Sequence, residues 1–85
     1  MGLDLVELVM RIEEEFEVTI SDDAASSMTT PRHIIEFLML QPTVSQKWSR
    51  DYVAITTWLI VEDALSIDRN NFNEDSRFIE DMGAD

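Results

Sequence analysis

The stretch MGLDLVELVMRIEEEF, residues 1–16, decides the fold. Wound as a helix at about 100° per residue, it puts Leu5, Leu8, Val9, Ile12 and Phe16 on one face. That is the i, i+3, i+4, i+7 spacing of a helix that covers a core. Leu3, Val6 and Met10 fall on a second face. Glu7, Glu13 and Glu14 border this second strip, while Asp4, Arg11 and Glu15 fill the remaining polar side. Covering a core does not require the second strip. An apolar strip rimmed by carboxylates suits docking of a basic partner. The other reading is that a neighbouring element buries it.

VTISDD reads as a short extended piece with Ser21 or Asp22 as a helix N-cap. SDDAASSM predicts one or two helical turns with little apolar face. In TTPRHIIEFLML, Thr30 is placed to cap and Pro31 to occupy the first helical position. Ile34, Ile35, Phe37, Leu38 and Leu40 are its expected buried side. Gln41-Pro42 ends that helix, because the residue before proline is pushed out of the α region. PTVSQKWS is a polar connector with one aromatic, Trp48. Ser49 caps the longest expected helix, Arg50 to Leu65, apolar almost all round until Glu62 and Asp63. That pattern predicts a central, heavily buried helix. From Asp68 the chain has few helix signals, and Ile67, Phe72, Phe78, Ile79 and Met82 are the expected anchors of an ordered loop with a short turn at Ser76–Asp81.

At 85 residues and 45% hydrophobic content, the chain makes one small domain with a modest core. No apolar run is long enough to span a membrane, and no basic leader precedes an apolar one. Cysteine is absent, which removes disulfides, thiol catalysis and cysteine-based zinc sites; a cytoplasmic location is the expectation. The net charge of −12 argues against nucleic acid or an anionic membrane as partner. Residues 1–23 hold eight acids and one base, and residues 74–85 hold five and one, so eleven of the twelve net charges lie in the two end segments. If those segments meet in space, they form one acidic surface facing basic partners.

The chain offers little to build a reactive centre from. An EF-hand starting at Asp68 fails, with Phe72 at loop position 5, Asn73 in place of the glycine at 6 and Ile79 in place of the glutamate at 12. His33 stands alone near a helix start and has no metal or catalytic setting. Glu13, Glu14 and Glu15 are consecutive, so they diverge on a helix and make no paired-carboxylate site. No enzyme, catalytic residue or metal site is expected.

LDLVELVMRIEEEF followed by VTISDDAASSMTTPRHIIEFL resembles the second half of an acyl carrier protein. WLIVEDALSIDRNNFNEDSRFIEDMGAD resembles the first half, ending in Glu80, Asp81, Met82, Gly83, Ala84, Asp85 where the family reads Glu-Asp-Leu-Gly-Ala-Asp. The halves stand in reversed order: residues 1–41 resemble the family's second half, 49–85 its first, and 42–48 form the connector. The resemblance implies an all-α, four-helix acyl-carrier-like bundle with circularly permuted connectivity. In that fold the end of the last helix lies near the start of the first, so a short connector can join them.

The family carries 4′-phosphopantetheine on a serine between Asp and Leu. Here the Asp is Asp85, the Leu is Leu3, and the position aligned with the serine is Gly2, which has no hydroxyl. The resemblance therefore implies the prosthetic group for the family and none on this chain. Ser76 has no following Leu or Met and is not a substitute. By the same resemblance, Leu3, Asp4, Val6, Glu7, Met10, Glu13 and Glu14 would dock basic surfaces of fatty-acid or polyketide enzymes. The alternatives are an acidic adaptor or regulator on the same fold, and an acidic mimic of nucleic acid. A monomer is expected.

Overall fold

The computed structural model describes residues 3–84, whose regular structure is helical, with no strand among them. Three longer helices dominate: α1 (Leu3–Phe16), α3 (Pro31–Met39) and α5 (Arg50–Leu65). Between them lie two short helices, α2 (Asp22–Ser26) and α4 (Pro42–Ser45), and a 3-10 turn at Arg69–Asn71 follows α5.

The helix starts follow their caps. Ser21 Oγ accepts from Ala24 N at 3.1 Å, Thr30 Oγ1 from His33 N at 3.3 Å, and Ser49 Oγ from Tyr52 N at 3.2 Å. Each bond satisfies a backbone donor that the first turn leaves without an intrahelical partner. Two helix ends also match each other. Glu17 after α1 and Ser66 after α5 both turn left-handed, at φ 53°. The next residue closes the end: Val18 N donates to Glu13 O at 3.2 Å and Ile67 N to Glu62 O at 3.1 Å. This is the Schellman arrangement, made here without its usual glycine.

Helix α5 packs against both α1 and α3. Leu5, Leu8, Ile12 and Phe16 of α1 are buried, as the spacing predicts. Ile34, Ile35 and Leu38 of α3 meet them from one side, and Val53, Thr57 and Val61 of α5 are fully enclosed. Phe72 and Phe78 anchor the segment after α5.

Four expectations are corrected. Helix α5 is not buried all round: Tyr52, Ile55 and Leu59 lie in solvent, because α1 and α3 cover only one of its sides. Leu40 is exposed. It caps α3 and, continued at about 100° per residue, falls opposite Ile34, Ile35 and Leu38. Ile79 is exposed because the tight turn that sends Phe78 inward sends its neighbour out. The connector is not merely polar with one aromatic: Pro42 starts the short α4, whose Val44 is fully buried. A proline that ends one helix suits the first position of the next. Trp48 fastens this connector to the bundle, meeting the Phe16 ring edge-on at 5.5 Å and stacking on Tyr52 at 5.7 Å.

Candidate functional site

The outer strip of α1 stands in solvent. Val6 is 37% exposed and Met10 52%, while Leu5, Leu8 and Ile12 on the opposite side are buried. Glu7 and Glu14 beside the strip are exposed, and among the described residues neither makes an ion pair. Asp4 is half-buried. Glu13 is different: its Oε2 accepts from Ile20 N at 2.9 Å, so it ties the chain leaving α1 back onto the helix. Arg11, the one base of α1, turns to α5 and pairs with Asp63 at 2.6 Å. The outer strip is thereby left with carboxylates alone along its edges. Gly2 and Asp85, together with the side chain of Leu3, fall outside the described residues.

The segment before Asp85 is held close to the start of α1. Two arginines at helix starts grip it. Arg32 in the first turn of α3 forks onto Asp75, with Nε to Oδ1 at 2.7 Å and Nη2 to Oδ2 at 3.1 Å. Arg50, first in α5, donates to Glu74 Oε1 at 2.8 Å. Backbone bonds fix the same stretch: Arg32 N donates to Glu74 O and Phe78 N to Thr29 O, both at 2.9 Å. The Arg32 fork holds the Asp75 carboxyl below the usual aspartate range, outweighing the opposing effect of desolvation. Ser76 is also engaged, its Oγ accepting from Asn73 N at 2.9 Å. Gly83 takes φ 70°, the left-handed conformation that glycine adopts at no steric cost.

These contacts bring the turn at 77–82 against the first turn of α1 and against α2. Leu5, Ala25, Met28, Phe78 and Ile79 line one hollow of about 290 Å³, with Arg77 and Glu80 at its mouth. An apolar space with a charged rim can shelter a hydrocarbon group while leaving a polar end in water. Neither the hollow nor the arginine clamp has a periodic signature in the sequence, since each joins residues far apart in the chain. The signal available for the clamp was the placement of arginine in the first turns of α3 and α5, opposite an acidic loop.

Three acyl carrier proteins resemble this chain over 37 residues. That of Phaeodactylum tricornutum is 53% identical, that of Buchnera aphidicola subsp. Schizaphis graminum 47%, and that of Trieres chinensis 44%. The matched stretch is 44% of this chain and 46–49% of each relative, so the chain spans about half the length of the curated relatives it matches. No family model matches the chain, and no solved structure does. The likeness is to acyl carrier proteins, which are carriers and not catalysts, over part of the chain. No helix among the described residues is long and apolar enough to cross a membrane.

Proposed function

We propose that the chain is a non-catalytic, acyl-carrier-like module whose two halves stand in reversed order. It docks basic surfaces of fatty-acid or polyketide type enzymes through α1. The observation that carries this reading is the hollow shared by Leu5 and the turn at Phe78–Ile79. It puts the end of the loop that resembles the family's first half against the start of the helix that resembles its second half. A four-helix carrier bundle cut at that junction and rejoined through residues 42–48 has this geometry. The comparisons support it in one further respect. A collinear alignment can match only one of two exchanged halves, and 37 of 85 residues is close to one half.

The docking surface is the outer strip of α1: Leu3, Val6 and Met10, with Asp4, Glu7, Glu13 and Glu14 around it. Carboxylates at its rim attract cationic surfaces and speed encounter, while the apolar strip supplies area to bury. Val6 and Met10 are accessible, and Glu7 and Glu14 are exposed with no ion pair among the described residues. Glu13 contributes charge while its hydrogen bond to Ile20 fixes it in place.

The chain does not fit 4′-phosphopantetheine as a covalent group. A phosphodiester needs a hydroxyl, and Gly2 offers none where the family's serine stands. Intact mass after treatment with a phosphopantetheinyl transferase and coenzyme A is expected to stay unchanged. Gly2→Ser is expected to be modified poorly, and a version rejoined as Asp85-Ser-Leu3 with a break elsewhere to be modified well. A mass gain on the unaltered chain, at Ser76 for instance, would overturn this reading. Docking is tested separately. Glu7→Lys together with Glu14→Lys is expected to weaken binding to a basic carrier-dependent enzyme, mainly through a slower on-rate. Gly2 also favours a second reading, an acidic adaptor that kept the fold without the prosthetic group. Failure to retain any carrier-dependent enzyme in a pull-down, with other basic proteins retained, would select it.

A further inference from the structure

A second apolar surface lies on α5, away from the outer strip of α1. Tyr52, Ile55 and Leu59 follow one another at i, i+3, i+7, and Ile55 and Leu59 are 54% and 61% exposed. At 1.5 Å per residue the row runs for roughly 10 Å, about two helical turns. Its far end opens into a cleft of about 590 Å³ between α5 and α1, where Leu59 and Ile60 face Arg11, Glu14 and Glu15. Lys47 reaches the start of the row only through Trp48, which stacks on Tyr52, and acids flank the rest. Asp51 stands at its start, Glu62 and Asp63 at its end, and Glu14 and Glu15 across the cleft. Arg11 is the single base lining the cleft, and Asp63 already holds it at 2.6 Å.

We propose that this face of α5 docks a cationic amphipathic helix supplied by a partner protein, with aliphatic side chains seated on Tyr52, Ile55 and Leu59 and lysines or arginines over the surrounding carboxylates. Two turns of exposed apolar side chains match the i, i+3/i+4, i+7 anchors that a helix presents to a groove. The charge decides the occupant. A second copy of this chain would bring a net charge of −12 against −12, with Asp51, Glu62 and Asp63 of each copy close to their counterparts. Like charges at close range oppose association, whereas opposite charges steer it. The apolar anchors Tyr52, Ile55 and Leu59 are separate from Val6 and Met10, and Glu14 alone borders both surfaces, so this face of α5 can dock a helix whether or not α1 docks an enzyme.

The test uses the whole chain labelled with nitrogen-15. The probe is a synthetic helix of about 18 residues with leucines on one face and lysines on the other. A control peptide carries glutamate in place of every lysine. The lysine peptide is expected to shift backbone resonances of Tyr52, Ile55, Leu59 and Asp63, and added salt is expected to weaken it. Ile55→Ser combined with Leu59→Ser is expected to lower affinity at least about tenfold, since buried anchors carry most of the binding energy. Leu40→Ser, more exposed still but at the C-cap of α3, is expected to leave affinity unchanged. Shifts confined to Val6 and Met10, equal binding of the glutamate peptide, or no binding would each overturn the proposal. Self-association in sedimentation that Leu59→Ser abolishes would overturn it too, naming a second copy as the occupant. Should the double variant fail to fold, the resonance map of the unaltered chain decides alone.

Discussion

Helices α1 and α5 are alike in length and in having one apolar face in the core and another in solvent, yet they reach this state from opposite sequence patterns. In α1 the acids separate the two faces, so both stripes can be traced residue by residue. In α5 no charge interrupts the run from Tyr52 to Val61, and periodicity marks no boundary. Its inner and outer sides are chosen by the neighbours that reach it, α1 and α3, and these cover Val53, Thr57 and Val61 while leaving Ile55 and Leu59 open. A polar gap in a helix says where burial stops. Its absence says only that burial could continue.

The largest expected effect tests this contrast directly. Ile12→Ala empties a fully enclosed site and is expected to cost about 2–5 kcal/mol in urea unfolding. Leu59→Ala is expected to fall within about 0.5 kcal/mol of the parent. If Leu59→Ala cost as much as Ile12→Ala, the outer face of α5 would be covered and the contrast would fail.

The next effect sharpens the inner side of α5. Thr57 is fully buried, and its hydroxyl has no hydrogen-bond partner among the described residues. Thr57→Val keeps the shape and removes a desolvated polar group, so a gain of about 1 kcal/mol is expected. A loss measured by the same unfolding experiment would mean that the hydroxyl is bonded in solution.

The matched helix ends come third. Ser66→Gly and Glu17→Gly place the residue that tolerates φ 53° where an L side chain is strained. Each is expected to raise stability by roughly 0.5–1 kcal/mol, reduced by the greater freedom of glycine in the unfolded chain. Losing the exposed Glu17–Lys47 pair, 3.7 Å apart, subtracts little. Gains of similar size at both positions would confirm that α1 and α5 end alike.

The smallest effect is at Asp75. Its pKa is lowered in the folded chain by the Arg32 fork, so between that value and the ordinary aspartate range the unfolded state binds the extra proton. The stabilisation is complete above the ordinary range and disappears as pH falls through the lowered value. Acid unfolding of the parent and Asp75→Asn should converge at the acidic end of the scan. Divergence there would reverse the sign.

Much of this structure was legible in the chain. Ser21, Thr30 and Ser49 announced three helix starts, because a cap is a contact between residues three apart. The spacing of Leu5, Leu8, Ile12 and Phe16 announced the buried face of α1. Val44 was not legible, since one apolar residue in a polar connector has no period. The hollow beside Leu5 and the grip of Arg32 on Asp75 were not legible either. Both bring together residues more than 40 apart, and nothing local encodes that meeting. At the candidate docking strip, the sequence placed Val6, Glu7, Met10 and Glu14 on one side of α1. It did not reveal that Glu13 spends its carboxylate on Ile20.

The aromatic packing has an optical consequence. Trp48 sits at the joint of α1 and the connector, stacked on Tyr52 with Lys47 4.7 Å from its ring centre. Trp58 lies midway along α5, where the Arg69 guanidinium of the 3-10 turn that follows the helix reaches back 4.0 Å over its face. Each indole thus watches a different joint, and each has a cation at hand to alter its emission. With Trp48→Phe the remaining fluorescence follows the release of the segment after α5. With Trp58→Phe it follows the parting of α1 from the connector. The chain carries its own two-channel recorder of the order in which it comes apart.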